Sequence, residues 1–172
     1  MNFENENNRP FYMHMHVMFP HQPLIFDSEG NKINDPIAAN RFDEELKNAY
    51  LQQLIFANKK TLEIIDSIQE KNPDNVIILM SDHGGRFGVD WADPTEMDYF
   101  RGFNNLSALY FPGQESNIPN YVSSVNIFRI FFNLYFDTNY EILDEKLIWY
   151  DYTRPFLHND VTELVKSSSL RN

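Results

Sequence analysis

Cysteine is absent from the 172 residues, which excludes a disulfide framework, a thiolate nucleophile and a Cys-ligated zinc within this sequence. Basic residues are scarce: 14 Lys and Arg against 25 Asp and Glu give a formal net charge of −11. Neutralising phosphates takes clustered Lys and Arg, so a nucleic-acid surface is excluded, and a basic membrane patch with it. Long hydrophobic runs are missing too. The longest, Val125 to Phe136, is interrupted by Asn126, Arg129 and Asn133 and is too short to span a bilayer. The opening MNFENENNRP has no basic region followed by an apolar stretch, so no secretory signal is visible and the chain alone is expected to be soluble.

What is present is core material. Hydrophobic residues make up 42% of the chain and aromatics 15%, with 15 Phe and 9 Tyr, a composition outside that of disordered tails. The length suits one domain, or a piece of a larger one. A single domain over 1–172 is expected, with frayed ends at 1–10 and 166–172.

Phe11 to Phe19 (FYMHMHVMF) is aromatic, apolar and bounded by Pro10 and Pro20, which predicts a buried strand. Period two would set Tyr12, His14, His16 and Met18 against Phe11, Met13, Met15, Val17 and Phe19. From His21 to about Asn40, with Pro23, Asp35, Pro36 and the turn signal DSEGN at 27–31, a long irregular connection is expected. Leu46, Tyr50, Leu54, Ala57, Thr61, Ile65 and Ile68 recur at helical spacing and predict a helix from about Asp43 to Glu70. Val76 to Met80 (VIILM) reads as a central parallel strand buried on both faces. Strand, helix and strand make a βαβ crossover, and the α/β class follows. Beyond a loop from Gly84 to Asn105, a strand at 106–111, a helix capped by Ser123 or Ser124 and running to Phe136, and a short strand at 147–152 complete the reading.

Sites in open parallel sheets lie beyond the carboxyl ends of the strands. His21 follows the first strand, and Asp82 with His83 follows the second, so a parallel pair would bring them to one edge. Asp82-His83-Gly84-Gly85 suits a metal site, because carboxylate and imidazole are both ligands and glycine lets backbone approach an ion. The alternative is an Asp that caps the following loop beside a hydrogen-bonded His. His16 and His21 admit a zinc reading, with an anion-binding role at least as well supported. His14 is expected to be a buried, hydrogen-bonded histidine, and His158 a surface residue. Asp90, Asp93, Glu96 and Asp98 form an acidic stretch near Trp91, expected to be solvated, with substrate contact as the other option.

These residues carry a resemblance. His16-Val17-Met18-Phe19-Pro20-His21-Gln22-Pro23-Leu24-Ile25-Phe26-Asp27 is similar to a strand and loop of the form H-x-x-x-P-H-x-P-[FY]-x-[FY]-[DN], and Val76 to Gly84 is similar to an apolar strand ending in [ST]-D-H-G. With the Tyr-bearing helix at Asn48-Ala49-Tyr50 and the segment Ser123-Ser124-Val125-Asn126-Ile127, they resemble the C-terminal part of the sulfatase family of the alkaline phosphatase superfamily, in the branch of sulfatases and phosphoethanolamine or phosphoglycerol transferases. The resemblance covers most of residues 10–136.

It implies an alkaline-phosphatase-like α/β fold, a mainly parallel sheet with helices on both faces, of which this chain is the C-terminal part. It implies one divalent metal ion, Zn²⁺, Mn²⁺ or Ca²⁺, with Asp82 and His83 as two ligands. His21 would bind the transferred group or assist the leaving group, and His16 would support it. The substrate would be an anionic ester or a lipid headgroup, hydrolysed or transferred, on the extracytoplasmic side of a membrane and in a membrane-anchored parent. The relatives' early metal-binding carboxylate and Thr, Ser or formylglycine nucleophile have no counterpart here. No C-x-[PA]-x-R motif occurs, and no Thr stands in an N-terminal strand-to-helix turn. The chain is therefore expected to be a fragment that is inactive alone, its missing N-terminal half being a partner. A non-catalytic α/β interaction module is the remaining alternative.

Overall fold

The computed structural model describes residues 9–38, 43–151 and 154–167. The expectations for 1–8, for 168–172 and for Tyr152 lie outside the described residues. Among the described residues, three two-stranded antiparallel ladders are interspersed with four α-helices and one short 3₁₀ turn, so the class is mixed α/β. The chain divides into two compact units, one holding residues up to 38 together with 44–58, the other holding Lys59 onward.

In the first unit, β1 (Leu24–Phe26) and β2 (Lys32–Ile37) pair as an antiparallel hairpin, with Leu24 opposite Ile37 and Phe26 opposite Lys32. The segment expected to be an irregular connection is thus a hairpin with DSEGN as its turn. Asp27 makes the turn: its Oδ1 accepts from the Glu29 and Asn31 amides at 2.9 and 2.8 Å, and its Oδ2 accepts from the Asn31 side chain at 3.0 Å. Gly30 takes the left-handed conformation at φ 86°, open to glycine at little steric cost. Against the hairpin lies the first part of α1 (Glu44–Lys71), which buries Leu46, Gln53 and Ala57. Phe19, Phe26 and Phe56 cluster, with centroids 5.3 to 6.1 Å apart. The strand expected at 11–19 does not form. Residues 11–18 are exposed and have no regular structure, so an apolar run without a ladder partner stays open. The βαβ crossover is corrected with it.

In the second unit, β3 (Ile77–Met80) pairs with β4 (Ser107–Tyr110) in an unbroken antiparallel register from Ile77 opposite Tyr110 to Met80 opposite Ser107. The central parallel strand is therefore not observed. β3 has one ladder neighbour among the described residues, and Ile77 to Leu79 are half-buried, with Met80 38% exposed. α2 (Glu96–Phe103) occupies what was expected to be loop. It is started by a capping box in which Thr95 and Asp98 bond reciprocally, Thr95 N to Asp98 Oδ2 at 2.9 Å and Asp98 N to Thr95 Oγ1 at 3.3 Å. α3 (Ser124–Tyr135) starts after Ser123 and buries Asn126, Ile127 and Ile130, with Phe131 and Tyr135 packed on the buried Phe111. β5 (Ile148–Asp151) and β6 (Arg154–Asp160) form the last ladder, and α4 (Thr162–Ser167) follows. Lys166 and Ser167, expected to fray, lie in that helix, with Lys166 Nζ 3.2 Å from Glu145 Oε2. A core of Val89, Trp149, Val161 and Val165, flanked by Trp91, Tyr99, Phe100, Phe103 and Leu147, ties α2 to α4 and the last ladder.

The hairpin turn sets a pH dependence. Hydrogen bonds, that of the Asn31 side chain foremost, hold the Asp27 carboxyl below its ordinary value of 3.8. A depressed folded-state value means the contribution is present above the unfolded value and lost as pH falls through the folded one. Acidification through that depressed folded-state value, below the ordinary 3.8, should therefore loosen the turn. The Glu29 and Asn31 amide resonances should shift together with Asp27 titration, and in Asp27→Ala they should lack that transition.

Candidate functional site

The end of β3 is built by Ser81. Its backbone N–H donates to Leu106 O at 3.0 Å, its Oγ accepts from Leu106 N at 2.9 Å, and its carbonyl accepts from Asn105 Nδ2 at 2.8 Å. The ladder is thus carried one residue further, and Asp82 and His83 project from a fixed end. Asp82 is almost fully exposed, at 89% for its side chain, while His83 is about one-third exposed. Asp82 Oδ1 accepts from the His83 amide at 3.1 Å.

The imidazole's tautomer follows from its partner. His83 Nδ1 lies 2.7 Å from Gly84 O, and a carbonyl only accepts, so Nδ1 carries the hydrogen. In the neutral ring the Nε2 lone pair is then available. It sits 3.7 Å from Asp82 Oδ2. Two ligand atoms each ~2.1 Å from one ion are roughly 3.0–3.4 Å apart at angles of about 90–109°. The pair fits a divalent cation as two ligands after a shift of a few tenths of an ångström.

Gly84 serves a different purpose from the one expected. A Cβ there would meet Arg101 O at 2.0 Å and Asn104 O at 2.6 Å, and its N–H donates to Gly102 O at 2.9 Å. The close approach is to the end of α2, and this packing fixes the loop that carries His83. Gly85 has only Phe87 at 3.9 Å.

Asp82 and His83 line a concave surface of about 840 Å³. Its aromatic wall includes Trp91 stacked on Trp149 at 5.0 Å, and Tyr99, which does not line the surface, packs edge-on to Trp149 at 5.1 Å. Arg86 also lines it, with its guanidinium carbon 5.6 Å from the Trp91 ring centroid. The second carboxylate on the surface, Glu145, is engaged by the Tyr121 hydroxyl and by Lys166. Neither Arg86 nor the indole pair was picked out from the sequence, although an arginine two residues past D-H-G is a visible signal.

His21 lies in the first unit. It is exposed, its Nδ1 donates to Gln22 O, and its backbone N–H donates to Met18 O at 2.7 Å. The peptide bonds preceding Pro20 and Pro23 are both cis. The fully buried Gln53 holds this segment to α1: its Nε2 donates to His21 O at 3.1 Å, and its Oε1 accepts from the Ile25 and Phe26 amides at 2.8 and 3.3 Å. His16 is exposed in the irregular segment, and so is His14, which corrects the buried reading. His158, on β6, is exposed as expected. Asp90 Oδ1 accepts from the Ala92 amide at 3.0 Å and Asp98 caps α2. With 11–18 outside any strand, the parallel-edge argument for joining His21 to Asp82 and His83 loses its basis.

A family model described as Sulfatase matches residues 1–138. The chain belongs to the sulfatase family. Neither the curated proteins nor the solved structures gave a match. Sulfatase-family members typically depend on a divalent metal. Among the described residues, no group of three His, Cys, Asp or Glu side chains is placed to hold one. The further ligands that a metal centre takes are thus not gathered around Asp82 and His83 among the described residues. No helix among the described residues is long and apolar enough to cross a membrane.

Two substitution pairs check this construction. Gly84→Ala should cost about 1–3 kcal/mol through backbone overpacking and shift the His83 resonances, whereas Gly85→Ala should leave both stability and His83 unchanged. Gln53→Leu, which strands the Ile25 and Phe26 amides without an acceptor, should destabilise by about 1–3 kcal/mol in chemical denaturation. Gln52→Leu, at a half-buried neighbour whose Oε1 accepts one amide at 3.3 Å, should cost less.

Proposed function

We propose that this chain is the metal-binding C-terminal part of a sulfatase-family catalytic domain that acts on sulfate or phosphate esters. The observation that carries the reading is the pairing of Asp82 Oδ2 with a His83 Nε2 whose lone pair is freed by the Nδ1–Gly84 bond, in a chain whose family uses divalent metals. Asp82 and His83 would hold the cation. An imidazole ligand favours Zn²⁺ or Mn²⁺ over Ca²⁺, which prefers oxygen. Bound there, the ion would polarise the ester and lower the nucleophile's pKa. His21 binds the transferred group in this reading, its imidazole offsetting charge on the non-bridging oxygens, and His16 supports it.

The remaining ligands and the nucleophile come, in this reading, from protein outside the described residues. β3 supports this, because VIILM is apolar on both faces and half-covered here, as expected of a strand that takes further neighbours in a mainly parallel sheet. The H-x-x-x-P-H-x-P form of residues 16–23 favours, within that reading, a phosphoethanolamine or phosphoglycerol transferase of a membrane-anchored, extracytoplasmic parent.

Calorimetric titration with Mn²⁺ and Zn²⁺ tests the metal. Weak binding by the chain, reduced at least tenfold in Asp82→Ala and in His83→Ala, is expected, since affinity falls steeply with ligand number. No affinity in the chain or in a longer natural form would instead support a non-catalytic interaction module. With p-nitrophenyl phosphate or sulfate and added metal, turnover by the chain alone should be negligible. Robust hydrolysis abolished by Asp82→Ala would sink the division of the site.

A further inference from the structure

The concave surface that Asp82 and His83 share contains one Lys or Arg side chain among its lining residues, Arg86. Its setting is unusual for a half-buried cation in a chain of net charge −11. Among the described residues, no carboxylate or carbonyl takes its guanidinium. Asp82 points to solvent, and both oxygens of Glu145 are occupied, by Tyr121 and by Lys166 at 3.2 Å. What holds Arg86 is apolar. A Cβ built on Gly102 would meet its Cγ at 3.8 Å, so the stem lies over a bare stretch of α2, and the guanidinium sits over the Trp91 indole.

That arrangement uses the face of the guanidinium and leaves its edge. A guanidinium over an aromatic ring is attracted through its π face, while its five N–H donors lie in its own plane and still require acceptors. The side chain is thereby pre-oriented, with little entropy left to lose, and its unmatched fork suits two oxygens of a tetrahedral oxyanion. Trp91 is itself stacked on Trp149, which is buried in the core, so the platform is rigid.

We propose that Arg86, presented by Trp91, is the anion-selecting residue of this surface and takes a sulfate or phosphate group through its in-plane N–H donors. The class of anion rests on the proposed ester chemistry. The presence of the fork on the surface that Asp82 and His83 line does not.

The chain's tryptophans number two, Trp91 and Trp149, so intrinsic fluorescence reports this surface directly. The 172-residue protein is titrated, without metal and at constant ionic strength, with inorganic sulfate, inorganic phosphate and methyl sulfate. A saturable change is expected with at least one. Arg86→Gln should weaken it about tenfold or more, and Arg86→Lys, a point charge without the fork, should fall between. Preference for methyl sulfate over the free anions would mark an ester subsite, and the reverse a site for the released anion. Either supports the assignment. Equal affinity in wild type and Arg86→Gln, or no saturable response in wild type, overturns it. Should Arg86→Gln lose its far-ultraviolet dichroism, Arg86→Lys decides alone: unchanged affinity overturns the fork. Asp82→Ala separates the two readings. It should weaken Mn²⁺ binding at least tenfold and keep or strengthen the metal-free sulfate response, since it removes a negative charge from the surface. Arg86-dependent sulfate binding in a protein without Mn²⁺ affinity would remove the proposed metal centre and leave the anion site.

Discussion

Short strands leave backbone groups that ladders cannot satisfy, and in this protein side-chain amides and hydroxyls take up that work. Gln53 bridges α1 to the His21 segment with one donor and one shared acceptor. Asn126 does the same for Leu143, donating to its carbonyl at 2.9 Å and accepting its amide at 3.0 Å. Asn133 repeats the pattern at Tyr140, at 2.8 and 2.7 Å. Each places a planar amide against backbone as a neighbouring strand would, and each buried group so paired avoids a desolvation penalty of about 1–3 kcal/mol. The Asn-rich character of the chain is thus partly structural.

The same device positions the candidate chemistry. Ser81 and Asn105 lock the end of β3, and the backbone of α2 then closes on Gly84 so tightly that no side chain fits. With the loop fixed, Gly84 O is held at Nδ1 of His83, and the tautomer follows. The nitrogen that keeps its lone pair in the neutral ring, Nε2, is thereby selected by backbone geometry. The capping box of Thr95 and Asp98 belongs to the same chain of cause, since it sets where α2 starts and therefore where its last carbonyls fall.

Periodicity made α1 legible almost to its ends, 43–70 expected and Glu44–Lys71 found, because a long amphipathic pattern has few alternatives. It misjudged which residues are buried. Gln53 occupies an apolar-face position that a hydropathy pattern assigns to Leu54, since the pattern does not register an amide's capacity to bond a facing segment. The run at 11–19 shows the reverse failure: apolar and aromatic residues describe a willingness to be buried, but a strand also needs a partner, and the hairpin uses Leu24–Phe26 and Lys32–Ile37 with each other. The VIILM run was located correctly and its direction misread, because a double-sided apolar strand is compatible with either orientation of neighbour. The D-H-G motif was legible in the sequence as a candidate for chemistry. Its geometry was not, since it depends on Arg101 and Asn104, some twenty residues away.

Charge gives the last constraint. A surface with a net charge of −11 repels an anionic ester over distances comparable to the Debye length of ~8 Å at physiological ionic strength. Inside a concave, partly desolvated surface the balance is set by the nearest groups instead, because the effective dielectric falls and each fixed charge counts for more. Asp82 alone would add to the repulsion there. In the proposed reading a cation held by Asp82 and His83 would reverse that sign, and Arg86, whose guanidinium no carboxylate takes among the described residues, would add to the reversal at the same surface. In that reading an acidic chain would take an anionic ester at Arg86, and the apolar seat on Trp91 and Gly102 keeps this arginine in place without a carboxylate partner among the described residues.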